Sequence, residues 1–155
     1  MGSHFMHTFF LFGLIFMSTF STVSTVKAES GPGIGPVKSV HLPADIDQKM
    51  VELGKVTFKT KCSQCHKIEK KYTGPQLLAI TKRRKPEWIM NMILNPIEMT
   101  HKDPTAMALL KKFLVQMANQ NVGETKARAI LEFFRNNDKA LTAKEIQAVP
   151  DISKQ

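Results

Sequence analysis

Residues 61–67 read Lys61-Cys62-Ser63-Gln64-Cys65-His66-Lys67, and they hold both cysteines of the 155-residue chain. A histidine follows the second cysteine directly. Four chemistries compete for such a pair: a disulfide, half of a metal site, a dithiol redox pair, and covalent attachment of a prosthetic group. Each demands a different setting. Structural zinc takes four ligands, usually in two pairs. Beyond the N-terminal segment only His41 and His101 remain, and neither belongs to a second ligand motif. A thioredoxin-like pair expects a βαβ unit around it. A plain disulfide has no use for His66.

The neighbouring sequence carries helical signals. Ile46, Met50, Val51, Leu53 and Phe58 recur at helical spacing, which predicts a helix over 45–60. Pro86-Glu87-Trp88 opens a second helix that should stop at Asn95, before Pro96. Asp103-Pro104 reads as an N-cap followed by proline, opening a helix to about Val115. Residues 124–136 form the last long helix, with Ala127, Ile130, Leu131, Phe133 and Phe134 on its apolar side. Short turns of helix are expected at 76–80 and 142–147. No internal repeat and no strand-type alternation stands out. The expected fold class is therefore all-α.

In that setting Cys-x-x-Cys-His is the attachment sequence of c-type haem. Two thiols at i and i+3 lie on one side of a helical turn, and each can add to one vinyl group of the porphyrin. His66 is then held beneath the iron as an axial ligand. A small domain with long loops buries limited apolar area by itself. One large apolar group inside it would help explain why the chain folds.

The N-terminus reads as a targeting segment. Phe9 to Met17 is an unbroken apolar run, followed by small polar residues and Val26-Lys27-Ala28. That pattern fits a secretory signal cut after Ala28 or a retained N-terminal anchor, although His4 and His7 stand where Lys or Arg is usual. Residues 29–44 hold Gly31, Pro32, Gly33, Gly35, Pro36 and Pro43 and are expected to be a flexible linker. The expected division is thus a signal or anchor over 1–28, a linker over 29–44, a haem domain over 45–138 and a loosely attached tail over 139–155. Export implies the periplasm or another compartment outside the cytoplasmic membrane.

From about Val51 to Asn136 the chain resembles class I c-type cytochromes, small bacterial periplasmic ones above all. The resemblance begins with Gly54 and Phe58, four apart before Cys62, and implies that they pack the first helix across the last, against Phe133. Tyr72-Thr73-Gly74-Pro75-Gln76-Leu77 is similar to the family's Gly-Pro-x-Leu turn. It implies that the Pro75 carbonyl accepts a hydrogen bond from the axial histidine ring, orienting it. The implied fold is four to five helices wrapped around one haem c, bound through Cys62 and Cys65. The resemblance makes Arg83, Arg84 and Trp88 candidate donors to a haem propionate, the alternatives being a solvated basic face for the arginines and a core anchor with a locally satisfied N–H for Trp88. Leu77, Leu78, Ile93, Phe113, Ile130 and Phe134 are the expected apolar wall.

A low-spin carrier needs a second axial ligand. Met50, Met90, Met92 and Met107 fall in predicted helices, whereas Met99 and Met117 fall in predicted loops. Met117-Ala118-Asn119-Gln120-Asn121-Val122 is similar to the family's Met-Pro-Asn-x-x-Leu distal loop, with Ala118 in place of the proline. The resemblance implies Met117 as the sixth ligand, with Met99 and His101 as rivals. Ala118 removes a stiff residue, so the loop is expected to be more mobile.

The formal net charge is +9, and hydrophobic residues make up 43% of the chain. The excess charge is concentrated: between Lys55 and Lys85 ten cations accompany a single acid, Glu69. This stretch flanks the attachment motif and predicts a basic collar that steers an acidic-faced redox partner into transient contact. Nucleic acid is not an expected partner, because no binding motif is present. The expected function is electron transfer without substrate conversion. The alternatives are a haem c subunit of a larger oxidoreductase and a gas-binding haem protein with a labile Met117.

Overall fold

The computed structural model describes Met1 and residues 31–150. The expected signal or anchor, Met1 apart, and the last five residues lie outside the described residues. Among those described there are seven helices and no strand. They are α1 (Gln48–Lys61), α2 (Ile80–Arg83), α3 (Pro86–Leu94), α4 (Pro96–Lys102), α5 (Pro104–Phe113), α6 (Glu124–Asp138) and α7 (Ala143–Ala148).

Local chemistry sets most of the boundaries. The Asp47 side chain accepts from the Lys49 and Met50 N–H groups at the start of α1, satisfying donors that the helix leaves open. Asp103 does the same for Ala106 at the start of α5, where Pro104 takes the first position. Thr142 and Glu145 form a reciprocal capping box on α7. The four-residue α2 has no cap of its own. Buried Asp138, the last residue of α6, accepts from the Ala79 N–H (2.9 Å), the Thr81 N–H (2.9 Å) and the Thr81 hydroxyl (2.7 Å). A carboxylate one helix away thus completes α2 and holds Ala79 in its left-handed conformation (φ 58°).

The packing centre is the crossing of α1 over α6. A Cβ on Gly54 would lie 2.0 Å from the Ala129 carbonyl oxygen and 2.9 Å from the Ile130 nitrogen, so the backbones touch there directly. One turn on, Phe58 meets Phe133 and Phe134 with ring centroids 5.5 and 5.7 Å away, in the tilted and edge-on geometries that aromatic pairs prefer. This is the contact expected for Gly54, Phe58 and Phe133. At the outer end of α6, buried Glu132 pairs with Arg128 and Arg135, and Arg135 donates to the Pro43 carbonyl at 2.6 Å.

Three sequence expectations need correction. Helix α4 covers a stretch for which the sequence predicts loop, since Pro96 ends α3. It is also the first residue of α4, where its missing N–H costs nothing. The short helix near residue 80 starts at Ile80 instead of ending there, because its caps come from Asp138.

The third correction concerns the expected flexible linker. Residues 31–42 have no helix or strand, yet they are pinned along α3 and α4, and Val37 is buried. Asn91, 1% exposed, spends its whole side chain on this segment. Its oxygen accepts from the Val37 N–H and its nitrogen donates to the Pro32 and Val37 carbonyls. Glu87 accepts from the Val40 N–H, Asn95 donates to the Ile34 carbonyl, and the Met99 sulfur accepts from the Ile34 N–H. Two of these residues lie on α3, one at the junction and one on α4, and together they hold the strap by its backbone. Backbone contacts of this kind leave no trace in strap composition. The tail is likewise attached as far as described, since Val149 is buried.

Two substitutions probe these contacts. Gly54→Ala forces α1 off α6 and should cost about 3 kcal/mol, read as a lowered denaturation midpoint. Asn91→Ala leaves buried strap groups unpaired and should cost about 2 kcal/mol. It should also speed hydrogen exchange at Val37 well before it affects the α1–α6 amides.

Candidate functional site

The crossing of α1 and α6 carries the end of α1 to the mouth of a cavity of about 230 Å³. Cys62 caps α1, and the chain continues as a turn in which the Cys65 and His66 N–H groups both bond to the Cys62 carbonyl (3.1 and 2.9 Å). Cys62, Cys65 and His66 all line the cavity.

Both thiols are free. Burial, with a smaller push from neighbouring Cys65, raises the Cys62 thiol from 9.0 to about 11. A reactive redox dithiol would need that value lowered instead. Among the described residues no three His, Cys, Asp or Glu side chains gather to hold a metal ion. The disulfide, zinc and dithiol alternatives thus lack support here.

His66 is set by what surrounds it. Its Nδ1 lies 3.2 Å from the Pro75 carbonyl oxygen. A carbonyl can only accept, so Nδ1 carries the proton and Nε2 keeps its lone pair. Burial pushes the imidazole below its ordinary value, and the bond to Pro75 offsets part of that shift. The ring is therefore held neutral, the form that ligates iron. Gly74 makes room for it. A Cβ there would lie 2.5 Å from Cε1 and 2.8 Å from Nδ1 of the His66 ring. The Gly74 N–H is fixed to the Cys65 carbonyl at 2.8 Å, so the turn is tied to the cysteine it faces.

The remaining lining is largely apolar. Leu77, Ile93, Phe113, Ile130 and Phe134 stand where the sequence placed them, whereas Leu78 does not line the cavity. Phe58, Ile80, Ile89, Leu109 and Leu110 join them. Helical spacing marks these as core positions, and only the tertiary structure turns them toward the cavity. Met117 lines the cavity and Met99 does not. Met99 is fully buried in α4, with its sulfur on the strap. His101 is exposed at the end of α4. Met92, on α3, also reaches the cavity, which its place in a helix did not reveal.

The three expected propionate donors divide. Trp88 lines the cavity, but its single N–H donates to Asp103 at 3.0 Å and is taken. Asp103 thereby caps α5 and locks the indole, a link between positions 88 and 103 that no local pattern announces. Arg84 lies over the Trp88 ring, 5.5 Å from its centroid. Arg83 and Arg84 line the cavity at 8% and 3% exposure, so two cations are built into its wall and are not a solvated face. The Arg83 guanidinium is held by the Leu78 carbonyl at 3.0 Å.

A cleft with two thiols and a neutral imidazole at its rim, an apolar lining and buried cations defines a site for a c-type haem. The comparisons agree. The cytochrome c family model matches residues 51–150, and the chain belongs to that family. It is a class I c-type cytochrome, and its haem c is covalent. A cytochrome c from Rhodothermus marinus is 37% identical with a TM-score of 0.67, over 69% of this chain and 92% of that one. An engineered cytochrome c from the same organism is 37% identical with a TM-score of 0.66, over 68% and 91%. An engineered form bound to a carbene intermediate is 38% identical with a TM-score of 0.64, over 68% and 91%. No curated protein matches the chain. The residues present fit the haem: the thiols are free to form thioethers, and Gly74 leaves the space that the His66 ring occupies.

Gly74→Ala should drive the His66 ring off the Pro75 carbonyl. In the holoprotein the expected result is a lower midpoint potential or a mixed spin state, with the haem still covalently retained. Potentiometry and denaturing gels with haem staining read the two effects separately.

Proposed function

We propose that the chain is a monohaem electron carrier whose iron is held by His66 and Met117. The observation that supports it most is that Met117, from the loop between α5 and α6, lines the same cavity as Cys62, Cys65 and His66 at the end of α1. When bound, the haem supplies a one-electron couple. Cys62 and Cys65 hold it covalently, and His66 offers Nε2 while Pro75 keeps its proton on the other nitrogen. The apolar lining excludes water. Sulfur ligation and burial favour the reduced state and raise the potential. Arg83 and Arg84 place positive charge where the propionates are expected, whereas Trp88 serves Asp103 instead.

The carrier is proposed to work outside the cytoplasmic membrane, exported by residues 1–28 or tethered through residues 9–26. No helix among the described residues is long and apolar enough to cross a membrane. Its proposed partners are acidic-faced redox proteins. Lys55, Lys59, Lys61, Lys70, Lys71, Lys82 and Lys85 are exposed around the motif, while Arg83 and Arg84 turn inward. The collar is thus made of lysines alone, and contacts of this kind are brief and salt-sensitive. The same domain could serve within a larger oxidoreductase, and co-purification of a partner would mark that case.

A second reading, ligand binding at iron, draws on Ala118 in the distal loop and on the engineered relative bound to a carbene intermediate. One set of spectra tests both. The ferric holoprotein should show the weak far-red band of methionine–iron ligation, and Met117→Ala should abolish it while Met92→Leu and Met99→Leu keep it. Absence of the band in the unmodified protein, with tight and rapid carbon monoxide binding to the ferrous form, would favour ligand chemistry instead.

A further inference from the structure

The distal loop lacks the proline that stiffens its counterpart in the family, yet it is not left unsupported. Thr100 sits in α4, 4% exposed, and its hydroxyl donates to the Pro96 carbonyl at 2.9 Å. The same oxygen accepts from Gln116 Nε2 at 2.9 Å. Gln116 Nε2 also lies 3.2 Å from the Met117 carbonyl oxygen and donates to it. One exposed amide therefore ties the backbone of Met117 to a buried hydroxyl on a helix. Asn119 adds a second, longer tie, from Nδ2 to the Leu94 carbonyl at 3.4 Å, and its oxygen accepts from the Asn121 N–H at 2.8 Å. Both Thr100 and Gln116 line the cavity beside Met117.

We infer that Thr100 and Gln116 are positioning residues that hold Met117 over the cavity, doing by side-chain hydrogen bonds what a proline at position 118 would do by backbone stiffness. The inference rests on Met117 as the axial ligand. Its physical basis is a two-state loop: with Met117 seated the iron's sixth position is closed, and with the loop lifted it is open. An added ligand binds only the open form, so its apparent affinity reports the open fraction. Breaking the Thr100–Gln116 bond removes a contact made only in the closed form. Burial of Thr100 makes the tie sequestered at one end, while exposure of Gln116 lets it be broken without disturbing the core.

The test is imidazole titration of the ferric holoprotein, with the far-red band followed in parallel, for the unmodified protein and for Thr100→Val, Thr100→Ser, Gln116→Leu and Met117→Ala. Thr100→Val keeps the shape and loses the hydroxyl, and Thr100→Ser keeps the hydroxyl. Thr100→Val and Gln116→Leu should each bind imidazole about fivefold more tightly, the worth of one net hydrogen bond. Their far-red band should weaken on warming at a lower temperature, while Thr100→Ser stays near the unmodified protein. Gln116→Leu, altered at an exposed side chain, should unfold at an unchanged midpoint. Unmodified affinity in both Thr100→Val and Gln116→Leu, with the band lost in Met117→Ala, overturns the clamp and leaves the ligand assignment standing. A band that survives Met117→Ala overturns the assignment itself. Equal effects of valine and serine at position 100 would trace the change to packing and overturn the role of the hydroxyl.

Discussion

The rest of the molecule depends on how closely α1 lies on α6. Gly54 lets the two backbones meet with no side chain between them, and the aromatic trio one turn later sets the depth of contact. That crossing fixes the end of α1 in space. Cys62, Cys65 and His66 follow within the next turn, so the attachment chemistry is placed by a helix contact some distance away. A larger residue at position 54 would displace the thiols and the imidazole together, because they share one rigid stem.

Around that stem the site is closed by groups borrowed from elsewhere. Burial holds the His66 ring neutral, Pro75 aims it by accepting a hydrogen bond from Nδ1, and Gly74 leaves it space. Asp138 completes α2, whose end supplies Arg83, with Arg84 directly after it. Asp103 locks Trp88, on which Arg84 rests. Asp138 and Asp103 are buried carboxylates that each accept several hydrogen bonds, which is how buried polar groups avoid a large desolvation cost. The wall of the cavity is thus organised by three contacts that cross from one element to another.

The far side is braced differently. The strap over 31–42 lies on α3 and α4, held by Glu87, Asn91, Asn95 and Met99. Met99 spends its sulfur there, which leaves Met117 as the loop methionine at the cavity. Thr100, the next residue, reaches the distal loop through Gln116. Strap, helix and loop therefore stack in layers. That support lies next to Ala118, where the family pattern has proline.

Much of the molecule was legible in the sequence because its signals are local. Cys62, Cys65 and His66 announce their chemistry by spacing. Asp47, Pro86 and Asp103 announce helix starts by side-chain type. Gly54 and Phe58, and the Gly74-Pro75 turn, were readable through resemblance, since close approach permits so few residues. What the sequence could not express were bonds between distant backbone and side-chain atoms. Composition made the strap a linker, and only the carbonyls and N–H groups facing Asn91 make it part of the domain. Pro96 looked like a stop and is also a start. Trp88 looked like a propionate donor, but Asp103, the N-cap of α5, accepts the hydrogen bond from its one N–H. A hydrogen bond across the fold depends on where two chains meet, and that is decided by packing, after local preference has done its part.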